Sequence, residues 1–491
     1  MHRTFVCLVL FLFFAAPLWA LQPEEGPGFL TDSHGAMAVI EVLLELGDDF
    51  PDGEVLLVKT LQWYDDVKID RDGAYSWMRS TSAPEGHMAH VEDYRISAKL
   101  IEKCAAIQKQ YGENPLCRKL IDGAFKLLER NCKIEQTKSG PSKWLPWNPN
   151  IKKPFFATGH SHGPGAYLAA FSNMYRDTAD PRAKELAIGI ANLTKDAALE
   201  KMGRDRMPQA TWLTVWPDMP TWRTGWCYGT AGVSFGLMDF HDVFPDYRFY
   251  DGSSALDMAH AGMNWVATKR VDVKDGCTFE RIRAATKPTE NIGWGSGVGG
   301  IGATYLRGYQ YAVKERPKQA KRHLELALAV ARHICNQLEG GWDYVGKTHV
   351  VQDNKKEEEL NLGFCGGLGG THIFLLDLAD AIESTQPELA QRCRRNCDVV
   401  GGWFVNRSIR LNDGIAWHGR EKEGGDKVVS LAIDYGLTGM VIGLHKLAVE
   451  RPKPDYEKAW RGATRGLVSL GVTEGAGLKW PWYTRSEEPY R

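Results

Sequence analysis

The stretch Trp226-Cys227-Tyr228-Gly229-Thr230-Ala231-Gly232 decides the fold, because its glycine pattern returns along the chain. It reappears as His160-Ser161-His162-Gly163-Pro164-Gly165, Trp294-Gly295-Ser296-Gly297-Val298-Gly299-Gly300, Phe364-Cys365-Gly366-Gly367-Leu368-Gly369-Gly370 and Asp434-Tyr435-Gly436-Leu437-Thr438-Gly439. The shared glycines at 163, 229, 297, 367 and 436 are spaced by 66, 68, 70 and 69 residues. A period this steady marks a repeat architecture. A sixth copy, Ser33-His34-Gly35-Ala36-Met37-Ala38-Val39, stands near the start. The gap between it and Gly163 holds one more, for which Gly86 to Lys99 is the candidate.

Each gap between motifs carries a short glycine and aromatic element of strand or hairpin character: Gly73 to Trp77, Trp144 to Trp147, Trp212 to Trp216, Cys277 to Phe279, Gly341 to Tyr344, Gly414 to Trp417 and Gly477 to Trp482. The last follows the seventh unit and is placed to close a ring. After each motif comes an apolar, small-residue helix such as Ile301-Gly302-Ala303-Thr304-Tyr305-Leu306, then an amphipathic one. In the fifth unit Leu324, Leu328, Ala331 and Ile334 recur at helical spacing, opposite Lys321, Arg322, Glu325 and Arg332. A helix apolar on most sides must be enclosed, so the first of each pair is inner and the second outer. The expected fold is all-α, an α/α toroid of seven helical hairpins with aromatic hairpins at the rim. Glycine before each inner helix is expected to turn the chain sharply and to expose amides around one mouth.

The 491 residues, 51 of them glycine, then fill one ring over 21–491 rather than several domains. With 60 basic and 61 acidic side chains, the formal charge of -1 gives no electrostatic reason to bind nucleic acid. Residues 1–20 form a separate object, with His2 and Arg3 before an apolar run from Phe5 to Trp19. That reads as a signal peptide, and the protein is expected to be secreted or periplasmic. Removing Cys7 leaves nine cysteines, an odd number in an oxidising compartment. Cys104 with Cys117, and Cys335 with Cys393 or Cys397, are placed to bridge; Cys227 and Cys365 are expected as unbridged thiols. Sequons stand at Asn192 and Asn406.

Trp226-Cys227-Tyr228-Gly229, preceded one unit earlier by His162-Gly163, resembles the lanthionine synthetase C-like family. The resemblance implies a seven-fold toroid, a zinc ion at the rim, and addition of a thiol to dehydrated residues of a peptide substrate. In the family one zinc ligand is the cysteine of the first motif, here Cys227, and two more come from a Cys-His-Gly in the next unit. That unit here reads Gly295-Ser296-Gly297, so the family's ligand set is incomplete. Cys365 holds the cysteine position one unit further on, where two steps of the ring are expected to keep it from Cys227. A second metal set, read from the residues, is His160, His162 and Cys227, with Glu92 or Asp93 completing it. The structural alternative is that the histidines bond loop carbonyls and Cys227 is a small buried hydrophobe. His162 matches the family's proton-transfer histidine, whose ordinary pKa of ~6.5 suits acid–base work. Tyr228 and Asp93 complete the catalytic candidates.

Two other functions compete. A glycoside hydrolase or lyase needs two rim carboxylates, from Glu92, Asp93, Asp218, Glu290, Asp353, Asp413 and Asp434, with Trp77, Trp144, Trp147, Trp212, Trp216 and Trp342 as sugar platforms. The bland reading of those tryptophans is that they fill the hairpins. A non-catalytic toroid would bind a peptide or small ligand at the same mouth.

Overall fold

The computed structural model describes residues 35–77, 94–145, 156–161, 163–216, 219–280, 291–295, 297–341, 362–418, 428–433, 436–480 and 483–485. Among them the helices fall into seven pairs. The first members are α1 (Ala36–Leu46), α3 (Tyr94–Tyr111), α5 (Pro164–Thr178), α7 (Thr230–Val243), α9 (Val298–Ala312), α11 (Leu368–Ile382) and α13 (Leu437–Glu450). Their partners are α2 (Gly53–Asp66), α4 (Pro115–Asn131), α6 (Pro181–Asp196), α8 (Ala255–Ala267), α10 (Pro317–Glu339), α12 (Pro387–Asn406) and α14 (Pro454–Val468).

Each first member packs on the next, from α1 to α3 and onward to α13, and α13 packs back on α1. The inner ring is therefore closed, and the toroid expected from the repeat is the fold. Inner helices are buried nearly all round; in α7 every residue from Thr230 to Phe240 is buried. Outer helices bury one side and start with strong signals. Five carry proline in the first turn, where its missing N–H costs nothing. Asn114 and Asp180 cap α4 and α6, and Ser254 with Asp257 forms a capping box on α8.

Two-stranded antiparallel hairpins span 69–76, 133–144, 199–211, 270–279, 409–416 and 472–479. In the first, Asp72 and Gly73 have φ of 56° and 77°, which twists a two-residue turn to suit its strands. The second strand of each hairpin packs on the outer helix of the following unit. The last hairpin, 472–479, packs on α2, the outer helix of the first unit, so hairpins as well as helices close the ring.

The tryptophans of these hairpins are core. Trp77, Trp212 and Trp417 are buried and donate their indole N–H to the carbonyls of Tyr64, Thr194 and Phe404 on the preceding outer helix, at 2.7–2.8 Å. Trp77 and Trp212 are thus unavailable as sugar platforms. Trp147 and Trp342 lie outside the described residues, and the side chains of Trp144 and Trp216 do too.

One sequence expectation needs correction. The glycines that cap α5, α7, α9, α11 and α13 have φ between -143° and -100°, so no left-handed turn requires them. Close approach does: a Cβ on Gly229 would stand 2.5 Å from the Arg223 carbonyl oxygen, and one on Gly297 2.4 Å from that of Asn291. The fold also bears on one of the two sequons, at Asn192. It is buried, donating to the Pro141 carbonyl and accepting from the Tyr247 hydroxyl, so its sequon is closed in the folded chain.

Candidate functional site

The motif loops are laced together by backbone hydrogen bonds that run round the mouth. His160 N–H donates to Trp226 O at 3.0 Å, Ser161 to Cys227 O at 3.3 Å, Cys227 to Gly295 O at 2.9 Å, Gly295 to Cys365 O at 2.7 Å, and Phe364 to Ile433 O at 3.0 Å. Residues three before the capping glycine form an aromatic layer beneath. His160 stacks on Trp226 at 4.2 Å, Trp226 meets Trp294 edge-on at 6.0 Å, and Trp294 meets Phe364 at 5.4 Å. This layer is buried and aromatic.

Residues two before the glycine form the next layer: Ser161, Cys227, Gly295 and Cys365. Here the structure overturns an expectation. Cys227 and Cys365 are not kept apart by the intervening unit; their sulfurs lie 3.0 Å from each other. The physical reason is Gly295. A Cβ built there would fall 2.0 Å from Cys365 Sγ and 2.3 Å from Cys227 Sγ, so the glycine vacates the space where the two sulfurs meet. Both cysteines are buried. The bridging candidates named from spacing also touch: Cys104 with Cys117 between α3 and α4, and Cys335 with Cys393 between α10 and α12. Burial pushes the Cys104 thiol well up, and the neighbouring Cys117 adds to it.

His160 is fully buried, with Nε2 3.3 Å from Asp239 Oδ2. Burial pushes its imidazole below the ordinary range despite that carboxylate. Burial pushes Asp239 up, but Arg307, bonded at 2.7 Å, and His160 outweigh it and hold the carboxyl below the usual range. This arrangement aims Nε2 inward, along the helices. Tyr228 is half-buried, with the Arg223 guanidinium 5.3 Å from its ring centre. His162, Glu92 and Asp93 lie outside the described residues, as do His34, Ser296 and Asp434. Of the seven carboxylates weighed for glycan cleavage, Asp413 is the one described, and it sits exposed in a hairpin turn.

A further set of polar residues escaped sequence reasoning. The tenth residue of each inner helix is Glu45, Lys103, Asn173, Asp239, Arg307, Asp377 and Lys446 in ring order. Asp239 pairs with Arg307, and Lys446 lies 3.9 Å from Asp377. Lys103 lies 3.2 Å from Glu41, and Asn173 donates to Glu102. At ~1.5 Å rise per residue this belt lies ~14 Å below the helix starts. Burial pushes the Glu45 and Asp377 carboxyls up to about 7, with Lys446 opposing in both. Counting ten residues from each helix start would have found the belt.

A closed ring of seven inner and seven outer helices with its motif loops at one mouth is an α/α toroid. The model of the lanthionine synthetase C-like protein family matches residues 104–261, which run from α3 to α8 and include the Trp226–Gly229 motif. The resemblance carried by that motif is therefore a family match over this segment. Similar solved structures include a sugar epimerase from a ruminal bacterium, 11% identical, covering 69% of this chain and 84% of that one at a TM-score of 0.43. Another is an α-1,6-mannanase of Salegentibacter, 13% identical, covering 84% and 100% at 0.43. A third is a cellobiose 2-epimerase of Bacillus thermoamylovorans, 13% identical, covering 70% and 86% at 0.42. No curated protein matches the chain.

The family's zinc ligands can be tested against these residues. Gly295 and Ser296 stand where the family has cysteine and histidine, so that set does not fit. Among the described residues no group of three or more His, Cys, Asp or Glu side chains is arranged to hold a metal. Among the described residues of the mouth, the two sulfurs over Gly295 are the soft donors brought together. Among the described residues no helix is long and apolar enough to cross a membrane.

Proposed function

We propose that the chain is a thiol-handling toroid of the lanthionine synthetase C-like type, acting on a peptide that enters the mouth formed by the inner-helix starts. The observation that supports this reading is the pair of sulfurs, from units that are not neighbours, brought together at the mouth over Gly295. The substrate's thiol gives up its proton and the thiolate adds to the β-carbon of a dehydrated residue; the C–S bond forms as the Cα=Cβ π bond is consumed, and a proton is delivered to the α-carbon, so that nothing leaves. His162, Asp93 and Tyr228 are the groups proposed to move that proton.

The test uses a peptide carrying one dehydrated residue and one cysteine, with alkylation followed by mass spectrometry to count remaining thiols. The wild-type protein is expected to consume the thiol faster than the uncatalysed reaction, and His162→Ala to fall toward the background rate. Thiol loss at the background rate with wild-type protein sinks the catalytic reading. Peptide binding without thiol loss would instead favour a non-catalytic toroid, a reading that the missing Cys-His pair at 295 and 296 supports. The glycan-processing alternative is weakened by the burial of Trp77 and Trp212.

A further inference from the structure

Three pairs of cysteine side chains meet in this fold, and the pair at the mouth differs from the other two in how it is reached. Cys104 touches Cys117 within one helix pair, and Cys335 touches Cys393 between two outer helices. Cys227 and Cys365 stand 138 residues apart in the chain, on units that are not neighbours, yet their sulfurs lie 3.0 Å from each other. Buried heavy atoms that merely pack sit about 3.5–4.0 Å apart. The backbone on either side is tied to the loop between: Cys227 N–H donates to Gly295 O, and Gly295 N–H to Cys365 O. The close approach is therefore made by the side chains, through the space that a Cβ at 295 would occupy. Both cysteines are nearly closed to solvent, at 3% and 6% exposure. From this contact to a bonded S–S of ~2.05 Å the sulfurs have about 1 Å left to travel.

We propose that Cys227 and Cys365 form a disulfide under oxidising conditions, a covalent staple across Gly295 that ties the fourth unit to the sixth at the mouth. One cysteine, as its thiolate, attacks a sulfur of a small-molecule disulfide such as oxidised glutathione and expels a thiolate, which leaves a mixed disulfide. The other cysteine, once deprotonated, attacks the protein sulfur of that mixed disulfide and expels the second thiolate. The pair gives up two protons and two electrons, and the oxidant takes up both electrons and leaves as two thiols. Excess small thiol runs the exchange backwards. The oxidised pair withdraws both sulfurs from the mouth's chemistry, and the reduced pair restores them. This inference goes beyond the peptide chemistry proposed above and stands without it.

The test uses two preparations of the whole chain. One is exported into an oxidising compartment, where the bond can form as the chain folds, and is alkylated at harvest. The other is purified reduced and equilibrated with glutathione buffers of rising disulfide content before alkylation. Digestion and mass spectrometry then look for the 227–365 cross-linked peptide, two hydrogens lighter than its reduced parts. The cross-link is expected in most of the exported protein, to rise with disulfide content in the second preparation, and to vanish with dithiothreitol. Cys365→Ser should lose it and leave Cys227 alkylated or carrying one glutathione, while Cys277→Ser, in the 270–279 hairpin, should keep it.

Cys227 and Cys365 both alkylated in the two preparations overturns the proposal. So does a disulfide from either one to any other cysteine, or glutathione on both without a cross-link. A cross-linking protein that leaves the peptide thiol unreacted in both redox states sinks only the function proposed above; a protein that consumes that thiol and never cross-links 227 to 365 sinks only this inference.

Discussion

Gly232 and Gly402 are both helical glycines, and one added methyl group has opposite consequences at the two. In α7, a Cβ on Gly232 would stand 1.7 Å from the Trp226 carbonyl oxygen and 2.5 Å from the His160 nitrogen, both backbone atoms that cannot step aside. In α12, a Cβ on Gly402 meets nothing within 4 Å. Gly402→Ala is therefore expected to stabilise the fold by ~0.4–1 kcal/mol, by restricting the unfolded chain and favouring the helix. Gly232→Ala is expected to cost ~3 kcal/mol or more, because overpacking here displaces the loop that carries Cys227. Urea unfolding of the two variants checks the sign; a Gly232→Ala protein as stable as the parent would refute the close-approach account. The glycine period was legible in the sequence, but its cause was not: φ values and neighbouring carbonyls come only with the fold. The meeting of Cys227 with Cys365 was hidden for a related reason. The chain orders the motifs along a line, and a side chain absent at 295 leaves no mark except in three dimensions.

At the scale of elements, the outer ring is read from its helix starts and amphipathic spacing, whereas the inner ring's polar belt hides inside apolar helices. One contact in the outer shell is open to titration. His260 of α8 and His323 of α10 face each other with ring centres 5.1 Å apart, both buried. Burial pushes His260 down to about 3, with His323 adding to the effect, and pushes His323 down to about 4. The sign follows from linkage. Below the unfolded value of ~6.5 the unfolded chain binds these protons and the folded chain does not, so stability falls as pH drops through ~6.5 and continues to fall toward the folded values. Each imidazole contributes ~1.4 kcal/mol per pH unit once well below that value. Glu45 and Asp377, raised to about 7, act in the opposite sense over this range. A comparison with a variant isolates the histidines. The double substitution His260→Leu and His323→Leu should flatten the pH dependence of the unfolding free energy measured in urea between pH 6 and 5, by roughly 2 kcal/mol per pH unit. Parallel curves for parent and variant would show that the pair is not held neutral.

The whole molecule poses the question of whether the ring is energetically closed or merely curved. In an open solenoid each unit touches its neighbours alone, and damage at a terminal unit frays that end while the rest persists. Here the last hairpin packs on the first outer helix. Trp480 is fully buried and donates to the Thr60 hydroxyl at 3.0 Å, and a Cβ on Gly477 would strike the Trp63 backbone at 2.5 Å. The inner ring closes beside it, with α13 on α1 and His445 of α13 bonded to Asp49 at 3.0 Å. Trp417 follows the preceding described hairpin at the same position; its indole bonds Phe404 of its own unit's outer helix, and its hairpin packs on α14 of the next unit, adjacent in the chain. If the closed ring is one cooperative unit, the link made by Trp480 across more than 400 residues of sequence stabilises the same unit as the packing of Trp417. Trp480→Ala and Trp417→Ala should then each cost ~3–5 kcal/mol, the range for emptying a buried tryptophan site. Each should shift the entire urea transition, with far-ultraviolet circular dichroism and tryptophan fluorescence remaining superimposed. A Trp480→Ala protein that keeps the parent's main transition and adds a small early phase would mean that the ends fray independently. The toroid would then be an open superhelix whose ends only touch, and the mouth would owe its shape to the middle units that carry Cys227, Gly295 and Cys365.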